Sequence, residues 1–174
     1  NAVTPPPNAG RGTVRLASGA VLSTAGLLVD DRLNADVPFG MPLVTTGGSV
    51  SVAGYSTLLE KGSLIDVSGG VAMSPTGRRT YGDAGSITLR SGQDLSLPSV
   101  LGGRFLGEGA LLGYAGVGSK GGSLSLQAPL VQVGGHRLTP SSLVLTPDFF
   151  SQGGFTSLTL TGLGATTGTL DDSL

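Results

Sequence analysis

The sequence predicts an all-β protein and, within that class, a parallel β-helix, a solenoid whose strands stack on their counterparts in the next coil. Three observations lead to this prediction. Short runs alternate small polar residues with aliphatic ones, these runs recur at regular intervals, and the 174 residues include 31 Gly but only five Phe, three Tyr and no Trp. Val, Leu, Ile and Ala separated by Gly, Ser and Thr favour many short strands joined by tight turns.

The alternating runs are the predicted strands. Each run directs one face to a core and the other to solvent, because successive side chains of a strand point to opposite sides. No segment keeps an apolar stripe at the helical period, so no long helix is expected. The predicted strands are residues 13–16, 49–52, 64–67, 86–89, 94–97, 123–126, 130–133, 143–145 and 157–160.

The strands belong to a larger repeat. A glycine opens each repeat, at Gly48, Gly85, Gly122 and Gly154, with intervals of 37, 37 and 32 residues. Double glycines mark the turns, where glycine accepts a positive φ without steric cost. The spacing predicts two coils of roughly 16–20 residues per repeat, hence about eight coils and a rod section of about 40 Å at a strand spacing of ~4.8 Å.

An antiparallel sandwich or barrel is the competing architecture. It usually needs tight hairpins, whose strongest sign is Asn-Gly or Asp-Gly, and the sequence contains neither dipeptide. Residues 1–12 hold three consecutive prolines and are predicted to be an extended linker, with the β-helix and its short loops over residues 13–174. Two segments do not follow the coil pattern. Residues 30–41 are expected to be a loop, and residues 100–118 are expected to be either an irregular coil or a protruding loop.

Charge and composition restrict the classes of function. Ten Lys and Arg against eleven Asp and Glu give a net charge of −1, so nucleic acid is not an expected partner. The absence of Cys excludes thiol chemistry. No apolar run of 18 residues occurs, so no membrane span is expected, and no cofactor is expected. The chain starts without an initiator methionine or signal peptide, as expected of a piece of a longer protein.

Three kinds of short motif resemble the filamentous haemagglutinin-type exoproteins. Residues 64–70 read Leu-Ile-Asp-Val-Ser-Gly-Gly and look like the I-D-V-S-G turn of that family. Residues 85–89 and 121–126 resemble the strand that follows this turn. Residues 146–155 are similar to a more distinctive segment found in one branch of the family. The resemblance covers roughly residues 47–163.

This resemblance implies a right-handed parallel β-helix exported by two-partner secretion. An outer-membrane transporter barrel would pass the chain to the outer surface of a Gram-negative bacterium. The implied role is adhesion, biofilm formation or contact-dependent interaction with a protein or glycan receptor on a host or bacterial surface, and not catalysis. The Asn-rich turns of the secretion domain are missing, since the only asparagines are Asn1, Asn8 and Asn34. The chain is therefore expected to be shaft or a distal module.

The candidate binding residues are arginines beside aromatic residues. Arg78 and Arg79 stand near Tyr81, and Arg104 precedes Phe105. A guanidinium beside an exposed ring can stack on a sugar or contact a protein partner, although such pairs also occur on surfaces without a ligand. Loops over residues 30–41, 78–83 and 100–118 are expected to present the contacts.

No catalytic or metal site is predicted. His136 is the only histidine and is expected in an exposed turn rather than in a Ser–His–Asp triad. Asp66, Asp83 and Asp94 would have to stack at one corner to bind Ca²⁺ or cleave a glycan, and capping of turns is the simpler interpretation. A β-helical carbohydrate-active enzyme and a passive rod scaffold without a ligand are the two alternatives to the adhesin.

Overall fold

A computed structural model describes residues 11–33, 43–98, 100–137, 139 and 141–164. This part of the chain is all-β with parallel sheets and has no α-helix; one 3₁₀ helix covers Pro147–Ser151. Residues 1–10 of the predicted linker and most of the predicted loop 30–41 lie outside the described residues. The strands are β1 Thr13–Leu16, β2 Val21–Ser23, β3 Leu28–Asp30, β4 Ser49–Ala53, β5 Ser56–Leu59, β6 Leu64–Asp66, β7 Val71–Met73, β8 Arg79–Tyr81, β9 Ser86–Arg90, β10 Phe105–Gly107, β11 Ala110–Leu112, β12 Gly122–Ala128, β13 Leu130–Val133, β14 Ser142–Leu145 and β15 Phe155–Gly162.

Within the described residues these strands form five sheets. Every pair of strands is parallel except β7 and β8, which form an antiparallel hairpin. A single antiparallel bridge joins Gln93 to Leu101 outside the strands. The prediction of parallel sheets is therefore confirmed, and the antiparallel sandwich is not. The sheet orders are β1-β5-β10, β2-β6-β11, β4-β9-β12-β15, β13-β14 and β3-β7-β8.

Neighbouring strands of a sheet come from successive stretches of the chain. Ser86 pairs with Ser49 on one side and Ser123 on the other, so the partners are 37 residues apart. We call one passage of the chain through the sheets a circuit. The first circuit is β1 to β4 and the second is β5 to β9; the third is β10 to β12, and the fourth contains β14, the 3₁₀ helix and β15.

The prediction of two coils per repeat is wrong. Between β4 and β9 the chain passes through β5, β6 and β7, which belong to three other sheets. The whole 37-residue interval is needed before the chain returns to the same sheet. Four circuits separated by three steps of ~4.8 Å span about 14 Å between first and last layer, and not the longer section predicted.

The core consists of aliphatic side chains stacked in ladders. In the four-stranded sheet, Ile87 and Leu89 of β9 and their partners Leu124 and Leu126 of β12 are fully buried. The equivalent residues of β4 and β15 pack against this cluster but are only partly buried. Burial of one such aliphatic side chain contributes about 1.5–3 kcal/mol. The inner circuits therefore carry most of the core.

Glycines stand at the corners mainly because neighbouring backbones approach closely there. A Cβ on Gly85 would overlap the carbonyl oxygen of Gly48, and a Cβ on Gly69 would overlap that of Gly82. Neither Gly85 nor Gly69 has a positive φ. The predicted reason, freedom to adopt positive φ, applies instead to the pairs 134–135 and 153–154.

One of the predicted strands is wrong. Residues 94–97 are not a strand, because Asp94 Oδ1 accepts the backbone N–H groups of Ser96 (2.8 Å) and Leu97 (3.0 Å) and folds them into a turn. Of the two alternatives for residues 100–118, the structure agrees with an irregular coil, because the segment contains β10 and β11, which extend two sheets. In β10 the ring of Phe105 lies where a Cβ on Gly107 would be, so this position needs a glycine.

Candidate binding surface

The β7–β8 hairpin carries the first candidate cluster. Its turn is closed by hydrogen bonds from the N–H of Ser74 to Arg78 O (2.9 Å) and from the N–H of Gly77 to Ser74 O (2.8 Å). The Ser74 hydroxyl also accepts the N–H of Arg78 (3.1 Å). Gly77 has a φ of +79°, which a side chain would strain. The segment Ser-Pro-Thr-Gly therefore fixes a sharp reversal that directs Arg78 to solvent.

The register of the hairpin sets which side chains share a face. Arg79 lies opposite Met73 and Tyr81 lies opposite Val71. Ala72 lies between Val71 and Met73 on β7, and its side chain is buried. Because successive side chains of a strand point to opposite faces, those of Arg79 and Tyr81 share the other, outer face of the sheet. Arg78 and Arg79 are exposed, and neither forms an ion pair with any described residue.

The loop between β11 and β12 is hydrogen-bonded to the hairpin and to the residues that follow it. The Ser119 hydroxyl donates to Tyr81 O (2.7 Å), and the N–H of Lys120 donates to Asp83 Oδ1 (2.8 Å). A side chain at Gly116 would overlap the Tyr81 ring, so the loop backbone lies directly against that ring. At the loop tip Val117 is 93 % exposed. Two of the predicted contact loops thus meet at one place.

We call residues 74–83 and 116–120 the hairpin corner. It presents three exposed cationic side chains, Arg78, Arg79 and Lys120, against the single carboxylate of Asp83. The local excess of positive charge stands out in a chain whose net charge is −1. Guanidinium groups bind carboxylate and sulfate-like groups in paired hydrogen bonds. The corner can therefore bind an anionic group beside the apolar surface of Tyr81 and Val117.

Arg104 and Phe105 do not join this cluster. They lie at the start of β10, in the sheet of β1 and β5. Arg104 is exposed, but Phe105 is only 3 % exposed and belongs to the hydrophobic core. The predicted exposed pair of cation and ring is therefore wrong at this position, because alternation along β10 turns the ring inward.

The acidic candidate residues accept hydrogen bonds from backbone N–H groups. Asp66 Oδ1 accepts the N–H of Ser68 (2.9 Å), which is the predicted turn capping. Asp83 and Asp94 likewise accept backbone N–H groups. Among the described residues, no group of three or more His, Cys, Asp or Glu side chains could hold a metal ion. His136 lies exposed in the turn after β13.

Sequence reasoning missed a contact between distant segments. The Arg11 guanidinium donates to Asp94 Oδ2 (2.7 Å) and lies 5.5 Å from the centre of the Tyr55 ring. Hydrogen bonds from the N–H groups of Ser96 and Leu97, and then the Arg11 ion pair, hold the pKa of Asp94 below its usual value. No local pattern signals a contact across 83 residues.

A small cavity lies inside the third and fourth circuits. Its volume is about 20 Å³, close to the space for one water molecule. Its walls are glycine and apolar side chains from β5, β10, β12 and β14, together with Leu111 and Phe149. An apolar gap of this size is a packing defect and not a ligand site.

No protein-family model matches the chain, and no significant similarity to a curated protein or to a solved structure was found. No helix of the described residues has the length and apolar character required to cross a membrane.

Proposed function

We propose that the chain is a structural and binding segment of a large secreted bacterial adhesin, built as a right-handed parallel β-helix. The observation that carries the proposal is the return of the chain to the same sheet after 37 residues, twice in succession and in register. Repeated parallel pairing of this kind is typical of solenoids, which form extended rods. A rod is suited to holding a binding surface away from the cell.

The position of the family-like motif supports the proposal. Leu64, Ile65 and Asp66 form β6 in the middle of a three-stranded sheet, and Ser68 to Gly70 form the corner that follows. Ile65 is buried, whereas Asp66 closes the corner with its carboxylate. The resemblance to filamentous haemagglutinin-type exoproteins therefore falls on residues with a consistent structural role. We extend it to export through an outer-membrane barrel and to a location on the outer surface of a Gram-negative bacterium.

The hairpin corner is the proposed contact surface. It combines an exposed lysine, an exposed valine and two guanidinium groups that form no ion pair with any described residue, on backbone that is fixed by hydrogen bonds. Fixed backbone lowers the entropic cost of binding. The receptor would be a protein or glycan that offers anionic groups.

A β-helical carbohydrate-active enzyme has less support. Such an enzyme needs two carboxyl groups that flank one glycosidic bond. Asp66, Asp83 and Asp94 instead each accept backbone N–H groups at different turns. The proposed role is therefore binding rather than catalysis.

The test is binding of the purified chain to host cells, bacterial cells and a glycan panel. We expect the double change Arg78→Ala and Arg79→Ala to weaken binding by roughly tenfold, equivalent to about 1.4 kcal/mol, because two guanidinium contacts are lost. Arg90→Ala is the matched control, since Arg90 is exposed on β9, away from the corner. Equal binding by all three proteins would place the contact elsewhere. Absence of any binding would leave the passive scaffold as the better account.

A further inference from the structure

β8 is the outermost strand of its sheet and lies in the interior of the chain. The sheet order is β3-β7-β8, and no later strand of the described residues joins it. The third circuit passes this place as the loop between β11 and β12, and not as a strand. Residues 43–98 and 100–137, which contain β7, β8 and this loop, are all described. The outer edge of β8 is therefore a strand edge within the hairpin corner.

The hydrogen bonds of the hairpin determine which backbone groups lie on this edge. Arg78 O accepts the N–H of Ser74 (2.9 Å), and the N–H of Gly82 donates to the residue before β7 (2.9 Å). Even-numbered residues of β8 therefore bond towards β7. Because the peptide groups of successive residues point to opposite edges of a strand, those of Arg79 and Tyr81 point away from β7.

Three of these four outward groups have no partner among the described residues. They are the N–H and C=O of Arg79 and the N–H of Tyr81. The fourth, Tyr81 O, accepts the hydroxyl of Ser119 (2.7 Å). Arg79 and Thr80 are both exposed, so the free groups are open to solvent. A strand edge with free donors and an acceptor can pair with an extended segment of another chain.

The charge beside the edge selects the kind of strand that pairs with it. Arg78, Arg79 and Lys120 are exposed, whereas the one carboxylate of the hairpin corner, Asp83, already accepts the N–H of Lys120 (2.8 Å). Pairing with a second β8 edge would bring like charges together, which is unfavourable. A strand that carries carboxylates meets opposite charges on the same face, and guanidinium groups bind carboxylates in paired hydrogen bonds.

We propose that the β8 edge binds an extended acidic peptide segment of a partner protein, which adds a strand to the sheet. The proposal rests on the hairpin corner being the contact surface, and it names a protein rather than a glycan as the receptor. A glycan offers anionic groups but lacks the alternating N–H and C=O groups that pair with a strand edge. In the bound segment, the residue opposite Arg79 is Asp or Glu.

The probe is a seven-residue peptide of alternating Glu and Val with blocked ends and a fluorescent label. Its binding to the full chain is measured by fluorescence anisotropy. We expect saturable binding, and binding weaker by at least about tenfold when Lys replaces every Glu. Two further peptides carry N-methyl groups either on every Glu or on every Val, so each blocks one edge of the peptide strand. The peptide whose methyl groups face β8 should bind at least about tenfold more weakly than the other.

Two changes at one position separate the side chain from the backbone. Arg79→Ala and Arg79→Pro both remove the guanidinium, but only proline removes the N–H. That N–H makes no bond to β7, so the hairpin keeps its own hydrogen bonds. We expect Arg79→Ala to weaken binding of the Glu–Val peptide and Arg79→Pro to weaken it further, by roughly threefold or more. Arg90→Ala is the control and should bind as wild type, and circular dichroism checks each fold.

The methylated peptides bind to the wild-type chain, so they remain decisive if Arg79→Pro fails to fold. Equal binding of the two methylated peptides, or of the Glu and Lys peptides, would overturn the proposal. Absence of Glu–Val peptide binding at about 1 mM would also overturn it. If a sulfated oligosaccharide then binds and is lost on changing Arg78 and Arg79 to Ala, the proposed function stands with a glycan receptor. The proposed function itself fails if the chain binds no cell and no glycan.

Discussion

Asp94 shows how one carboxylate links two distant parts of the chain. It accepts two backbone N–H groups of its own turn and a guanidinium N–H from Arg11. All three interactions favour the charged form, which lowers the pKa of Asp94 in the folded protein. The turn and the anchoring of the segment around Arg11 therefore depend on ionisation of the same group.

The lowered pKa predicts how stability depends on pH. The contribution of Asp94 is fully present above its unfolded pKa of about 3.9 and is lost as pH falls through the lower folded pKa. We expect Asp94→Asn to unfold at lower urea concentration than wild type at pH 7, with the difference shrinking below about pH 4. Urea unfolding at a series of pH values measures this difference.

Arg11→Gln separates the two contributions to the Asp94 effect. It removes the ion pair but keeps the N–H donors of Ser96 and Leu97, which are the larger cause of the lowered pKa. The pH dependence should therefore weaken without disappearing. A difference between Asp94→Asn and wild type that stays constant from pH 7 to pH 3 would contradict this explanation.

Alternation along the chain was sufficient to predict eight of the fifteen described strands but does not determine whether an alternating run becomes a strand. Residues 86–89 and 123–126 read as strands because Ser or Thr alternates with buried Ile and Leu, and both form strands. Residues 94–97 show the same alternation, yet the Asp94 side chain captures the backbone in a turn. A pattern of polarity cannot distinguish these outcomes, because the competing hydrogen bond is local and independent of burial.

The candidate site was predictable only where its residues are close in sequence. Arg78, Arg79 and Tyr81 lie on one short hairpin, so the structure keeps them together. The approach of the segment from Gly116 to Lys120 depends on stacking of the third circuit on the second, which no local signal encodes. The prediction that the Phe105 ring is exposed was wrong for a similar reason, because the face to which this ring points depends on the register of β10.

The contribution of a leucine to the free energy of unfolding depends on whether its strand is paired on both sides or on one. Leu126 of β12 has strands on both sides and is fully buried, whereas Leu158 of β15 has a paired strand on one side. We expect Leu126→Ala to lower the free energy of unfolding by about 3–5 kcal/mol and Leu158→Ala by about 1–2 kcal/mol. Urea unfolding measures both, with Leu95→Ala, at an exposed leucine outside the sheets, as the control.

Equal losses for Leu126→Ala and Leu158→Ala would contradict that explanation. Such a result would mean that β15 is as well covered as β12. A large loss for Leu95→Ala would instead show that the turn containing Leu95 contributes to the core.

Within the described residues, the strands of the four-stranded sheet stack in the order β4-β9-β12-β15, and each pairs only with the strands beside it. In such an arrangement the stability of each layer is its own contribution plus that of the interfaces beside it. The inner strands β9 and β12 each have two paired neighbours, whereas β15 has one. Local opening should therefore start at the ends and reach the inner layers last.

Amide hydrogen exchange read by mass spectrometry tests this order. We expect peptides that cover β9 and β12 to keep protection longest and those that cover β15 to exchange sooner, because opening β15 breaks a single set of strand hydrogen bonds. Leu126→Ala should reduce protection in β9 and β12 together, since Leu126 stacks between Leu89 and Leu160. The same protection at every strand would mean that the layers open as one cooperative unit, in which the inner circuits have no greater stability than the outer ones.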